Sequence, residues 1–546
     1  MTNKEISRAL KLTAALGELH NENPFKLKSL TNAAFQIDRS DVVLEGKSLE
    51  ELLQIPGIGK GIALKILELE QTGSTEELAH YASITPSGII ELLNVKGIGP
   101  KKVAQLWREL EIETPGELLY ACNENRLVEL KGFGAKTQTS ILQALEYRLA
   151  NQGKLHFAEA EMVANEAINV LKNAGFPLQI EVTGAIRRKM ETIDDIEILV
   201  ENDEDQFFMF LTTIAQFSEI TDNETFFAVR FIEKYNIHFI PSYNFQKDLL
   251  YTTGPAEHLL QLDFDLEEPI ANETAFYEER GFPFILPELR DLDIEQTSKI
   301  DTQKLVTWAN IKGSLHNHST WSDGANTLEE MALACKELNL EYLGICDHSK
   351  SAGYAGGLSI ERVIQQQQEI ELLNAKIPDF TIFKGIESDI LVDGSLDYPE
   401  EILKSFDFIV ASVHSVLKMD EERATSRLIK AIENPYTRIL GHPTGRLLLS
   451  RKGYPINHHK IIDACAANNV VIELNAHPYR LDIDWRYIPY CMQKNVLISI
   501  NPDAHKKSGF LDMHYGIHVA RKGLLTKEFL LNSKTTEEFK LWLSSK

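Results

Sequence analysis

Leu315-His316-Asn317-His318-Ser319-Thr320-Trp321-Ser322-Asp323-Gly324 offers two imidazoles at alternate positions and a carboxylate five residues after the second. Further His, Glu and Asp residues follow in Cys346-Asp347-His348, Gly385-Ile386-Glu387, Val413-His414-Ser415, Gly441-His442-Pro443 and Asp503-Ala504-His505. Each closes a short apolar run, such as Tyr342-Leu343-Gly344-Ile345, Phe408-Ile409-Val410-Ala411 or Val496-Leu497-Ile498-Ser499-Ile500. Runs of that length alternating with helical patterns read as parallel barrel strands, and residues at their carboxyl ends meet at one mouth. The pattern predicts that His316, His318, Asp323, His348, Glu387, His414, His442, Asp503 and His505 converge on one metal-holding pocket. Imidazoles mixed with carboxylates suit Zn²⁺, Mn²⁺ or Fe²⁺. Nine donors exceed the usual four of a zinc site, so two or three ions sharing bridging groups are expected. Such ions, roughly 3.5–4 Å apart, polarise water and clamp phosphodiester oxygens for in-line attack.

Two arginines flank this pattern. Arg446 follows His442-Pro443, and Arg480 follows the apolar run Val470–Asn475. Either guanidinium can grip a phosphate bidentately, which makes both candidate phosphate ligands. Gly353–Leu358, after His348, reads as a flexible loop able to cover the mouth.

A chain of 546 residues is too long for one core, so three or more domains are expected. It contains no apolar run of membrane-spanning length and no basic-then-apolar start. The five cysteines are scattered, with no CxxC pair, which suits a reducing cytoplasm and argues against a disulfide-linked partner. Of the net charge of −24, −18 falls in residues 151–310, where 12 Lys+Arg face 30 Asp+Glu. That segment is a poor electrostatic match for a phosphate backbone.

The first third carries an internal repeat. Ile55-Pro56-Gly57-Ile58-Gly59-Lys60 recurs as Val95-Lys96-Gly97-Ile98-Gly99-Pro100-Lys101-Lys102 and as Leu130-Lys131-Gly132-Phe133-Gly134-Ala135-Lys136. Each copy makes a Gly-x-Gly hairpin and opens a helix, whose free amide N–H groups face an anion that the glycines allow to come close. Gly57, Gly59, Lys60, Gly97, Gly99, Lys101, Lys102, Gly132, Gly134 and Lys136 are the candidate DNA contacts. The repeat resembles the helix-hairpin-helix motif, which holds DNA backbone without reading sequence.

Further on, Thr183-Gly184-Ala185-Ile186-Arg187-Arg188-Lys189-Met190-Glu191-Thr192 precedes Asp195-Ile196-Glu197. Carboxylates two apart on a strand share a face and can hold Mg²⁺ or Mn²⁺. This stretch resembles the palm of family X DNA polymerases. With the hairpins and the metal region, the whole chain is similar to a bacterial family X polymerase with a C-terminal polymerase-and-histidinol-phosphatase (PHP) domain. The nine donors match that domain's pattern position by position, and the resemblance makes Glu387 the bridging ligand. Three palm positions depart from the family. Ala185 replaces a serine that helps hold the triphosphate, Glu197 replaces an aspartate, and Asn236 falls where the third catalytic aspartate belongs. An amide there supplies no negative charge to Mg²⁺ and no base for the primer hydroxyl. Lys65 lies where related eukaryotic repair polymerases keep a Schiff-base lysine, though a solvated helix-face lysine is the simpler reading.

The expected organisation is a helical region with three hairpins (1–150), an α+β nucleotidyltransferase-like palm (151–240), a short thumb-like segment (241–298), a linker (299–310) and a distorted (β/α)7 PHP barrel (311–546). The resemblance implies a DNA repair enzyme acting on gapped, nicked or single-stranded ends by 3′–5′ exonucleolysis, with abasic-site cleavage as an added capacity and weak or lost polymerisation. Three alternatives stand beside it: a working gap-filling polymerase with exonuclease, a small-molecule PHP phosphatase, and a DNA-binding scaffold whose metals are structural.

Overall fold

The computed structural model describes all residues except 41, 124, 125, 129, 151, 152, 177, 202, 203 and 546. The chain forms two compact units, Met1–Gln152 and Gly153–Lys546. Among the described residues, no helix is long and apolar enough to cross a membrane, and all five cysteines are free and buried.

The described residues of the first unit form helices joined by turns. Helices α1 (Lys60–Thr72), α2 (Pro100–Leu110) and α3 (Ala135–Ala150) each follow a Gly-x-Gly turn. In every turn the middle residue is apolar and buried (Ile58, Ile98, Phe133), which pins the hairpin to the core. The first glycine adopts φ of +86° at Gly57, +97° at Gly97 and +91° at Gly132, a conformation that side chains with a Cβ resist. The second glycine faces open space at Gly59, Gly99 and Gly134.

The second unit opens with α4 (Phe157–Asn173) and a five-stranded sheet. Its strands are β1 (Ile180–Val182), β2 (Ile196–Glu201), β3 (Phe217–Asp222), β4 (Phe227–Phe231) and β5 (Tyr235–Ser242), in the order β1-β2-β5-β4-β3. Only β2 and β5 run parallel, with Ile196 opposite Ile237 and Glu197 opposite His238. Ile196, Ile198, Val200, Ile237 and Phe239 bury one face, leaving Glu197 and Asn236 off the core.

Seven parallel strands follow: β6 (Gly313–Asn317), β7 (Tyr342–Ile345), β8 (Thr381–Asp389), β9 (Phe408–Ser412), β10 (Thr437–Leu440), β11 (Val471–Asn475) and β12 (Ile498–Asn501). They pair in chain order, and a bridge between Asn317 and Ala504 brings the two ends of the sheet together, so the barrel is nearly closed. Its interior is filled by Leu315, Tyr342, Phe383, Phe408, Val410, Ile439 and Val471. The C-terminal helix α6 (Thr536–Ser544), numbered after α5 (Met513–Lys522), inserts Phe539 against Tyr342, with ring centroids 4.9 Å apart. That packing fills the amino end of the barrel and leaves the carboxyl end for chemistry. Gly385 leaves no room for a side chain, since a Cβ would fall 2.5 Å from the Ile345 carbonyl oxygen and 2.7 Å from both Cys346 Sγ and the Phe408 ring. Residues 299–310, read from the sequence as a linker, are packed chain. Leu305 and Val306 are buried, and the Val306 amide donates to the Leu525 carbonyl.

Candidate metal centre and its relatives

All nine predicted donors sit at or just beyond strand carboxyl ends, and the structure brings them together. Their ligand atoms form four overlapping groups: His318–Asp323–His348–His505, His316–His318–Asp503, His316–Glu387–His442 and His348–Glu387–His414. Glu387 is the hub. Its Oε1 lies 3.2 Å from His316 Nε2, 3.1 Å from His414 Nε2 and 3.0 Å from His442 Nε2, while Oε2 lies 2.9 Å from His348 Nδ1. Asp503 Oδ1 stands 3.0 Å from His318 Nε2, and Asp323 Oδ1 stands 3.4 Å from His505 Nε2 on the solvent-facing rim.

The backbone is strained where it aims these groups. His316 and Asp503 hold φ of +59° and +52°, a conformation non-glycine residues adopt at a cost and mostly at functional sites. Behind them lies a layer of groups the sequence reading passed over. Glu473 Oε2 accepts from His316 Nδ1 at 2.6 Å and from Asn501 Nδ2 at 2.8 Å, and its other oxygen accepts from the His442 amide at 3.0 Å. Asp389 Oδ1 pairs with His414 Nδ1 at 2.5 Å. Asn475 donates to both Glu473 and Asp503, at 3.1 Å each. Such contacts fix imidazole tautomers and leave the opposite nitrogen lone pair facing the pocket. Asp347 accepts from the Ser319 amide at 2.8 Å and the Ser322 amide at 3.1 Å, holding the turn that delivers Asp323.

Burial pushes His318 down to about 3, so its ring stays neutral. For His414 burial acts in the same direction, but Glu387 and Asp389 outweigh it and raise the imidazole to about 10. Burial alone would raise Glu387, yet His414, His316 and His348 together hold it well below the usual carboxylate range. Two buried nitrogens point into the pocket without a hydrogen bond. His316 Nε2 has Glu387 nearby but in poor alignment, and His318 Nδ1 has Asp323 Oδ1 only at 3.8 Å. A buried imidazole nitrogen without a partner is costly, and a cation satisfies it. The donor set fits divalent transition metals.

At the palm the corresponding groups are arranged otherwise. Asp195 is exposed and lies 3.8 Å from His238 Nε2. The longer Glu197 side chain folds back onto the Gly184 turn, where a Cβ on Gly184 would fall 1.7 Å from its Oε2. Burial, then Asp195, raises its carboxyl pKa. Asn236 is exposed on β5 opposite Arg230. The paired arginines are engaged as well. Arg187 forks onto Glu273 at 2.9 and 2.6 Å, and Arg188 reaches Asp291 at 3.1 Å and the Thr253 carbonyl at 2.7 Å.

Residues 1–75 match a helix-hairpin-helix domain family, residues 89–146 a SAM-like helix-hairpin-helix tandem, and residues 314–477 the PHP domain. The chain is 32% identical to the DNA polymerase/3′–5′ exonuclease PolX of Bacillus subtilis (strain 168), across 100% of this chain and 99% of that protein. The chain belongs to the PolX family. The probable phosphatase of Thermoanaerobacter pseudethanolicus is 28% identical over 40% of this chain and 89% of its own. That of Caldicellulosiruptor saccharolyticus is 30% identical over 41% of this chain and 92% of its own.

Within this PolX chain the two flanking arginines differ. Arg480 lies at the rim, its Nε 3.7 Å from Asp503 Oδ2. Arg446 does not aim at the mouth as expected. Its guanidinium binds Asp484 at 3.0 Å and the Arg480 and Leu481 carbonyls, so it holds the loop that carries Arg480. Gly353–Leu358 is likewise no loose flap, because Leu358 is buried and its amide donates to the His348 carbonyl at 2.9 Å. In the hairpins Lys60, Lys101 and Lys136 are exposed, while Lys102 lies over the Phe133 ring at 5.2 Å. Lys65 is half-buried and engaged rather than free on the helix face. It pairs with Glu77, which also holds Lys26 at 2.7 Å.

Proposed function

We propose that the chain hydrolyses DNA phosphodiesters, removing nucleotides from 3′ ends, at a pocket where the nine donors hold two or three Zn²⁺, Mn²⁺ or Fe²⁺ ions. The observation that carries this reading is the convergence of nine donors around Glu387, with buried imidazole nitrogens left without partners. When bound, the ions supply positive charge that polarises the phosphodiester and activates water. The protein's own part is positional. Glu473 and Asp389 set the His316 and His414 rings, Asp347 sets the Asp323 turn, and Arg480 at the rim is placed to hold a non-bridging phosphate oxygen. Exposed lysines and amide N–H groups at the three hairpins hold DNA backbone. The B. subtilis relative's name includes a 3′–5′ exonuclease, and the likeness to it runs the full length of the chain. Abasic-site cleavage is the same bond chemistry and falls to the same pocket.

The palm in this reading adds nucleotides weakly or not at all. Asn236 offers no anionic oxygen, Glu197 is turned onto Gly184, and the segment carries an excess of negative charge that repels template and triphosphate. Any Mg²⁺ or Mn²⁺ there rests on Asp195 and Glu197.

The test is a 3′-labelled duplex with a recessed end, assayed with Mn²⁺ alongside a small phosphomonoester. Mononucleotide release that is lost in Glu387→Gln and reduced in Lys60→Ala/Lys101→Ala/Lys136→Ala, with monoester cleavage insensitive to the lysine changes, supports a DNA hydrolase. Hydrolysis of the monoester alone, untouched by the lysine changes, would make it a small-molecule phosphatase.

A further inference from the structure

Away from the mouth, α5 carries His514 and His518, one turn apart on the same helix face. Their Nε2 atoms stand 2.8 Å from each other. A carboxylate arrives from another layer: Glu161, on the palm helix α4, places Oε2 3.9 Å from His514 Nε2. The three ligand atoms lie within 4.8 Å of one another and share no residue with the nine-donor pocket.

We propose that Glu161, His514 and His518 form a separate binding site for one late-transition divalent cation, Zn²⁺ above all, that staples the palm to the barrel. Two imidazoles at i and i+4 on one helix face, joined by a carboxylate, are a donor set zinc accepts. The carboxylate is held for the task, since Lys189 Nζ binds the other oxygen, Oε1, at 3.1 Å and leaves Oε2 toward the histidines. Around His518 the Phe157 ring packs edge-on at 5.8 Å, giving an apolar wall. His514 is half exposed, so a fourth coordination position opens to water. The site spans a boundary that Lys522 also crosses, donating to the Arg188 carbonyl at 2.9 Å and to Asp291 at 2.7 Å. A cation here adds a coordinate link between α4 and α5, and by binding the native state alone it raises stability in proportion to its occupancy.

The experiment uses the full chain, stripped with chelator and dialysed against buffered Zn²⁺, with metal counted by mass spectrometry. His514→Ala/His518→Ala is expected to hold one zinc ion fewer per chain than wild type, and Glu161→Gln, which keeps the side chain's shape, to weaken that one site tenfold or more. The zinc-dependent rise in unfolding temperature falls in both variants, while their unfolding temperatures in chelator match wild type. Equal zinc counts in wild type and the double variant would overturn the proposal, as would anomalous diffraction at the zinc edge showing no ion between α4 and α5.

Discussion

The barrel mouth and the palm face both set carboxylates and an imidazole on or beside strands, but they treat those groups in opposite ways. At the mouth His316, His414 and Asp503 have fixed partners behind them, and all nine donors face a shared space. At the palm, Asp195 is exposed, Glu197 is folded onto Gly184 and Asn236 faces solvent opposite Arg230. The arginines beside the palm donors are tied to Glu273 and Asp291. The difference lies in supporting contacts as well as in residue type. Glu387 is a buried carboxylate and Glu197 a half-buried one, yet surrounding histidines hold the first ionised, whereas burial and Asp195 press the second toward its neutral form.

The sharpest way to break this contrast is to remove one carboxylate from each region. Glu387→Gln should lower 3′–5′ hydrolysis by at least about 10³-fold, because several kcal/mol of charge stabilisation leave with the ions. Asp195→Ala should leave the same rate unchanged in the same assay. Next, Glu473→Gln keeps every ligand but weakens the partner of His316, and metal affinity by competition titration should fall roughly 10–100-fold.

How far these contacts could be read in advance follows from where each residue sits. The nine donors were legible because His, Asp and Glu are unusual at the ends of apolar strands, and the strand order follows the chain. Glu473 was not, although a carboxylate inside Val471-Ile472-Glu473-Leu474 is itself a signal: a charge buried between strand neighbours requires a partner. Asp389, two residues beyond Glu387 on the same face of β8, could have been found by the alternation that located Glu387. Arg446 misled because nearness in sequence to His442 does not set the direction of a long side chain, and the Asp484 that captures it lies far along the chain. The hairpins were readable from their repeat, since positive φ at the first glycine leaves few other residues possible. The turn of Glu197 onto Gly184 depends on packing between β2 and a neighbouring turn, which no local pattern encodes. The same is true of Lys65, whose partner Glu77 comes from the next helix.

Two further measurements sharpen the comparison at smaller scale. Lys60→Ala/Lys101→Ala/Lys136→Ala should weaken DNA binding evenly across sequences and make the slope of log affinity against log salt shallower by about 2.7, at ~0.9 per phosphate contact. In fluorescence anisotropy, a slope equal to wild type would remove the lysines from the interface. In the palm, Asn236→Asp with Glu197→Asp and Ala185→Ser should raise primer extension about tenfold, near 1.4 kcal/mol of barrel-independent gain. Extension already strong in the unaltered chain would show that the palm's donors suffice as they stand.

The most direct measurement of the central claim is anomalous diffraction from crystals of the full chain, collected at the zinc, iron and manganese edges. Two or three peaks inside the pocket bounded by His316, Asp323, Glu387 and Asp503 are expected, with Glu387 touching more than one. A mouth with no peak at any edge after soaking in these metals would contradict it.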